Sequence, residues 1–163
     1  MGLATLALLI ACGGKVSGND RLRAAVDNAN YSLDQSTGIA TGAVPGSQVV
    51  EAKLNAETTT PFYQVTVSVN GQVKEVVIDS KSGAVLAVQT TGAGLLASCP
   101  LSLSQAIGIA QGAVGGQATT AEIESACDFS LQVLKGMTLY EVHLSSSGQV
   151  LSVEAEEFEH DDD

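Results

Sequence analysis

The residues that could bind a metal lie at the C-terminus. Residues 154–163 read EAEEFEHDDD and place His160 beside Asp161, Asp162 and Asp163. Carboxylate and imidazole groups are ligands for Ca²⁺ or a transition metal. A flexible tail without fixed ligand spacing loses conformational entropy when it binds an ion. We therefore predict a solvated acidic tail over residues 156–163, no metal site, and at most weak ligation by these four side chains.

The sequence contains no motif that is typical of a catalytic site. The only two histidines are His143 and His160, and neither a GxSxG sequence nor a Walker motif occurs. His143 alternates with Val142 and Leu144, so we expect it on the opposite face of a strand from them, at the surface. The sequence predicts a protein that is not an enzyme, with no catalytic residue and no cofactor.

The N-terminal segment has the pattern of an export signal followed by a cysteine. Residues 3–11 (LATLALLIA) are too few to cross a bilayer as a helix but fit the apolar part of a signal peptide. The sequence Leu9-Ile10-Ala11-Cys12 resembles the lipobox of bacterial lipoproteins. That resemblance implies removal of residues 1–11 and acylation of Cys12, with palmitate among the chains of a stable anchor. The alternative is a buried apolar N-terminal helix with an incidental cysteine.

The residues after Cys12 predict a destination and a tether. Gly13 stands where Asp would signal retention in the inner membrane, so we expect an anchor in the outer membrane of the cell envelope, facing the periplasm. Residues 12–31 form the predicted tether, within which residues 20–29 have the apolar spacing of a short helix. That helix either packs on the domain or extends the tether.

Two further cysteines, Cys99 and Cys127, remain after acylation of Cys12. Thiols of exported proteins form disulfides, so we predict that these two pair. Such a bridge contributes about 3–4 kcal/mol by restricting the unfolded chain. Two buried free thiols are the alternative.

The charge balance excludes two classes of partner. The net charge is −11 at pH 7 and the isoelectric point is about 4.3. Nucleic acids require clustered Lys and Arg, and anionic membrane surfaces attract basic segments. We therefore expect no nucleic-acid binding and membrane contact through the lipid anchor only. The same acidity favours a well-solvated surface.

A repeat divides the chain into two copies of one unit. Ser32–Gly46 (SLDQSTGIATGAVPG) and Ser102–Gly116 (SLSQAIGIAQGAVGG) are identical at ten of fifteen positions without a gap. Self-similarity at this level indicates duplication. We predict one unit over residues 32–90, a linker over 91–100 and a second unit over 101–155.

Each unit begins with a predicted helix. Ser32 with Gln35, and Ser102 with Gln105, have the spacing of a capping box, and glycine follows where each helix ends. Two glycines four residues apart lie within each helix, which predicts that this face closely approaches a sheet or the other copy. These glycines are Gly38, Gly42, Gly108 and Gly112.

Strands follow each helix, since apolar and polar residues alternate there. The predicted strands are 49–54, 63–69, 73–79 and 84–88 in the first copy, and 118–124, 129–134, 137–144 and 149–153 in the second. Asn70-Gly71 and Lys135-Gly136 are the expected hairpin turns. The fold class is α+β, with two tandem units, each one helix packed on a four-stranded antiparallel sheet. Whether the two sheets join at their edges is left open.

The first copy resembles a PepSY domain. That family has a helix ending in AVPG, a Y-x-V-x-V strand and a closing V-x-V-D-x-x-T/S-G-x-V-L sequence. The corresponding segments here are Ala43–Gly46, Tyr63–Val67 and Val76–Leu86. The second copy is more divergent, with Gly115 in place of proline and Ser145 in place of aspartate.

The PepSY resemblance implies a non-catalytic binding module, for which peptidase inhibition is the usual proposal. Asp79 is expected to accept backbone hydrogen bonds within a turn that Gly83 makes possible. The expected partner is a protein, such as a secreted or envelope peptidase, docked on the open sheet face or a strand edge. The alternative function is metal binding by the acidic tail of an envelope lipoprotein.

Overall fold

The structure is a computed structural model that describes residues 17–94 and 98–156. The predictions for residues 1–11, Cys12, His160 and residues 161–163 lie outside these ranges. Helices packed on a large antiparallel sheet confirm the α+β class. In chain order the elements are α1 (Gly18–Asn28), α2 (Leu33–Ala43), β1 (Gln48–Asn55), β2 (Phe62–Val69), β3 (Gln72–Asp79), β4 (Val85–Ala93), α3 (Leu103–Val114), β5 (Gln117–Ile123), β6 (Phe129–Lys135), β7 (Thr138–Leu144) and β8 (Val150–Ala155).

The eight strands form one sheet in the order β4-β3-β2-β1-β5-β6-β7-β8, and every neighbouring pair is antiparallel. The first strand that follows each repeated helix lies at the centre, where β1 pairs with β5. The sheets of the two copies therefore join edge to edge, a point that the sequence left open. Both last strands, β4 and β8, are left at the outer edges.

The pairing of β1 with β5 is close to symmetric. Ala52 lies opposite Ala121, and each is the fifth residue of its own strand. Both strands carry a bulge two residues before that alanine, at Val50 and Thr119. The bulge places Val49 rather than Val50 on the buried face of β1, which simple alternation along the strand does not predict.

The repeated helices pack on the same face of this sheet around one continuous core. Both capping boxes form: the Gln35 N–H donates to the Ser32 hydroxyl at 3.2 Å, and the Gln105 N–H to that of Ser102 at 3.2 Å. Each cap stabilises its helix by about 1 kcal/mol. Gly115 ends α3 with a φ of 76°, in the left-handed region that glycine adopts readily.

The glycines within the two helices face solvent, so the prediction of close approach at that face is wrong. A Cβ added at Gly38, Gly42, Gly108 or Gly112 meets no atom within 4 Å beyond its own helix. The opposite face of each helix is the one that packs. The buried residues are Leu33, Ser36, Thr37 and Ala40 in α2, and Leu103, Ala106, Ile107, Ala110 and Val114 in α3.

Helix α1 packs on the domain and is not part of a free tether. Ala25 is buried in the core, with Leu22 and Val26 partly buried against it. The side chain of Asn19 donates to the carbonyl of Met137 at 3.0 Å, in the hairpin between β6 and β7. At the other end the Asn30 N–H donates to the carbonyl of Ser80 at 3.0 Å. The segment therefore connects the two halves of the sheet.

Candidate functional site

The disulfide between Cys99 and Cys127 is present, with the two Cα atoms 5.5 Å apart. Cys99 precedes α3, and Cys127 ends a short 3₁₀ turn, Ser125–Cys127, between β5 and β6. Ala126 and Cys127 have φ values of 59° and 63°, an uncommon conformation for residues other than glycine. The bridge thus connects the segment before α3 to the turn between two strands of the same copy.

Asp79 organises the turn from β3 into β4 as the sequence predicts. Its Oδ1 accepts the backbone N–H of Ser82 at 2.6 Å, that of Lys81 at 3.0 Å and the Ser82 hydroxyl at 2.9 Å. These bonds stabilise the carboxylate, with the Ser82 backbone N–H the largest cause, and they lower the pKa of Asp79 below its ordinary value. Asp79 is therefore a structural residue of the turn.

The turns before both edge strands pack against the helical layer through a glycine. A Cβ added to Gly83, whose φ is +70°, stands 2.6 Å from the Tyr31 ring. In the second copy a Cβ on Gly148, whose φ is +86°, stands 2.9 Å from Ile109. A side chain at either position would displace this neighbour and require a left-handed backbone conformation, which glycine adopts readily.

The hydroxyl of Tyr63 is another buried polar group with a fixed partner. It donates to the carbonyl of Tyr31 at 2.5 Å. Burial of the ring raises the pKa of Tyr63 to about 12, so the hydroxyl stays protonated at physiological pH. This bond fixes the segment between α1 and α2 above β2.

His143 lies on the open face of the sheet, as its alternation with two apolar residues predicts. Its Nε2 lies 3.1 Å from Oε1 of Glu141, while Val142 and Leu144 are fully buried on the other face. Across residues 17–94 and 98–156, three or more His, Cys, Asp or Glu side chains nowhere come together as a metal would need. Over the same residues no helix is long and apolar enough to cross a membrane.

The two edge strands expose the same pattern of large apolar side chains. Both triplets occupy equivalent positions of the repeat, and within each the middle leucine is the most exposed, 60% at Leu86 and 61% at Leu151. The triplets are Val85, Leu86 and Val88 in β4, and Val150, Leu151 and Val153 in β8. Among residues 17–94 and 98–156 each strand pairs on one side only, with β3 or β7, so within this part of the chain the other side presents unpaired backbone groups.

Natural edge strands usually carry charges or proline that prevent pairing with another chain. Strand β4 has nine residues, VLAVQTTGA, none of them charged and none proline. Strand β8, VLSVEA, has one charge, at Glu154. Bulges lie at Leu86 and Thr91 in β4 and at Leu151 in β8, so the most exposed leucine of each edge is a bulged residue that twists the start of its strand. Sequence reasoning identified both strands but not their exposure, because a run of valine and leucine is also typical of buried strands.

An open groove of about 590 Å³ lies between α1, the loop from β1 to β2 and the turn from β3 to β4. Arg21, Thr58 and Lys81 are among the residues that line it. Ser80, which is buried there, donates its hydroxyl to the carbonyl of Pro61 at 2.8 Å, and its hydrogen-bonding needs are met within the chain. The free sheet edges are the stronger candidate site.

The fold defines a class: an α+β protein with two repeats, whose last strands lie at the two edges of one sheet. The family model described as peptidase propeptide and YPEB domain, PepSY, matches residues 30–89 and 100–156. These matches cover more than half of the chain, and the protein belongs to the PepSY family. A search of curated proteins finds no match.

Two solved structures are similar to this chain. One is described as a candidate lipoprotein from Clostridium difficile 630; it shares 17% identity over 78% of this chain and 95% of its own, with a TM-score of 0.49. The other is described as a candidate periplasmic protein from Bacteroides eggerthii DSM 20697. It shares 16% identity over 77% of this chain and 90% of its own, with a TM-score of 0.28.

Proposed function

We propose that this protein is a non-catalytic lipoprotein of the bacterial cell envelope that binds a protein partner through its free sheet edges. Cys12 carries the lipid anchor, in the outer membrane and facing the periplasm. The single observation that carries the binding proposal is the equivalent exposure of the apolar triplets on β4 and β8. The lipobox supports the anchor, and the disulfide between Cys99 and Cys127 fits an exported protein.

A strand edge binds a partner by extending the sheet. An added segment forms main-chain hydrogen bonds with the unpaired backbone groups, and alternate side chains contact the residues of the edge strand. Leu86 and Leu151, each exposed by about 60%, gain the most from being covered. Burial of apolar surface contributes roughly 25 cal/mol per Å², so a leucine side chain contributes a substantial part of such an interface.

Membership of the PepSY family favours peptidase regulation as the role of this protein binding. An edge strand offers an extended backbone, and β-strand addition is one of the recurring ways in which proteins recognise extended segments. In this proposal each repeat, one helix on four strands, is a PepSY unit that contributes one edge. Two edges on one rigid sheet also permit two contacts with the same partner, which raises the effective affinity.

The test uses exposed apolar residues on and off the edges. Leu86→Lys and Leu151→Lys place a charge on β4 and β8, and Met137→Lys is the matched control, since Met137 is 50% exposed in the hairpin between β6 and β7. Each protein, with Cys12→Ser to remove the anchor, is assayed for complexes with envelope proteins and for inhibition of secreted metallopeptidases. The proposal expects a complex that the edge variants weaken and Met137→Lys does not.

Two results decide against the proposal. If the complex survives both edge substitutions, the binding surface does not include the sheet edges. The absence of any protein complex, with a small ligand that raises the melting temperature instead, contradicts protein binding altogether. Loss of inhibition without loss of the complex, in contrast, separates peptidase regulation from binding.

A further inference from the structure

The two edges share their apolar side chains but differ in charge. On the open face of the sheet, next to the edge, Gln89 of β4 lies opposite Glu75 of β3. At the equivalent place in the second copy, Glu154 of β8 lies opposite Glu141 of β7. Directly opposed residues share a face of the sheet, and like charges in that position destabilise it. A cation beside Glu154 would offset this repulsion.

The surroundings of β8 do not supply that cation. Glu156 follows the strand, and Gln132 donates to its Oε1 at 2.8 Å, which adds a third carboxylate on this side. His143 lies beside Glu141 and not beside Glu154, which is exposed and has no cationic partner among the residues that the structure describes. No Lys or Arg follows Lys135 in the sequence. A positively charged side chain on a binding partner would therefore complement the charge of this edge.

The register of β8 defines what a ninth strand would meet. Val150 and Val153 lie opposite Leu144 and Val142, on the helix-bearing face, and Glu154 points to the open face. Side chains of an added strand alternate between the same two faces. One set of its side chains therefore lies beside Val150 and Val153, and the other set lies beside Ser152 and Glu154.

We propose that the β8 edge binds an extended basic segment in which aliphatic residues alternate with Lys or Arg. This inference rests on the proposed function and specifies its partner at one of the two edges. The β4 edge, with Gln89 in place of the glutamate, has no such preference. A second copy of this chain is a poor occupant of the β8 edge, because it adds a second net charge of −11 to an edge that already carries carboxylates.

The experiment uses the full chain with Cys12→Ser and three labelled peptides of equal length, in which valine alternates with Lys, Thr or Glu. Affinity is measured by fluorescence anisotropy, and hydrogen exchange locates the bound strand. We expect the Lys peptide to bind most tightly and to protect the amides of β8. Glu154→Gln should weaken it by about threefold, the value of one exposed ion pair, and Leu151→Ala should weaken all peptides that bind there.

Two matched variants test the location. Leu86→Ala should leave the Lys peptide on β8 unchanged, whereas Gln89→Glu should give β4 a new preference for Lys over Thr. A control in which Asp161, Asp162 and Asp163 are replaced by Asn should still bind the Lys peptide, which separates the edge from general attraction to acidic residues.

The outcomes separate this inference from the proposed function. Equal binding of the Lys and Thr peptides, with sensitivity to Leu151→Ala, overturns the charge preference and leaves edge docking intact. Binding of the Lys peptide that ignores Leu151→Ala but disappears with the three Asn substitutions overturns the inference as well. If no peptide binds and the edge variants keep their protein complex, both proposals fail.

Discussion

Ser104 donates a hydrogen bond to the carboxylate of Asp34, the residue seventy positions earlier in the chain. Each is the second residue of its repeated helix, so equivalent positions of the two copies meet directly. In the sheet Ala52 lies opposite Ala121, each the fifth residue of its strand. The two copies are thus arranged about a local twofold axis that passes between α2 and α3 and through the centre of the sheet.

The centre of the sheet should tolerate no larger side chain at this axis. Ala52 and Ala121 are fully buried beneath both helices. We expect Ala52→Leu to lower the free energy of unfolding by about 1–3 kcal/mol through overpacking, measured by urea denaturation. Ala87→Leu, at a half-buried position of the edge strand β4, is the control and should change it by less than about 0.5 kcal/mol. Equal effects would show that the axis is not tightly packed.

Replacing glycine by alanine should change stability in opposite directions in the helices and in the turn before β4. Gly38→Ala and Gly108→Ala fill open space on exposed helix faces and should each stabilise the protein by about 0.5–1 kcal/mol. Gly83→Ala should destabilise it, because φ is +70° and the new Cβ meets the Tyr31 ring. Thermal denaturation of the three variants measures both signs. A loss of stability at Gly38 would mean that its helix face does contact another surface.

The carboxylate of Asp79 predicts a dependence of stability on pH. Its pKa is lower in the folded protein than the ordinary value of 3.8. The stability that it contributes is therefore present above pH 3.8 and is lost as the pH falls through the folded pKa. We expect the wild type to be more stable than Asp79→Asn at neutral pH, and the difference in melting temperature to shrink on acidification. A difference that is constant with pH would contradict this role.

The disulfide should be a major source of stability in the second copy. Replacing Cys99 and Cys127 together by alanine should lower the free energy of unfolding by about 3–4 kcal/mol, because the unfolded chain is no longer constrained. Chemical denaturation of the double variant measures the loss, and Cys12→Ser is the control that leaves the bridge in place. An unchanged stability would show that the bridge closes a loop that is already ordered.

Much of the fold follows from local sequence signals. The capping boxes at Ser32 and Ser102 predict the helix starts, and the hairpin at Asn70-Gly71 predicts the register of β2 with β3. The turn predicted at Lys135-Gly136 is wrong by one residue, because Lys135 pairs with Thr138 and the turn is Gly136-Met137. These features depend on residues close together in the chain. Because the chain contains a repeat, a signal present in one copy predicts the same element in the other.

The sequence could not show which helix face meets the sheet in the first copy. Ser36 and Thr37 are buried in α2, where α3 has Ala106 and Ile107. Their hydroxyls donate to the carbonyls of Leu33 at 2.6 Å and Asp34 at 2.7 Å, so burial leaves no unpaired donor. A pattern based on apolar residues counts Ser36 and Thr37 as polar and does not place them on the buried face.

Nor could the sequence show that β4 and β8 lie at the edges. Their valines and leucines match those of a buried strand, and only the pairing of β1 with β5 places both last strands outside. The candidate site is therefore a consequence of how the repeats join. Its residues carry no motif by which they could be found in the sequence.

Photo-crosslinking in intact cells tests the central claim most directly. A photoreactive amino acid replaces Leu86 or Leu151 at the edges, or Met137 as the exposed control away from them. We expect covalent adducts with a protein partner from the edge positions and none from Met137. Adducts from Met137 alone, in cells where the protein is present and bound to a partner, would contradict it.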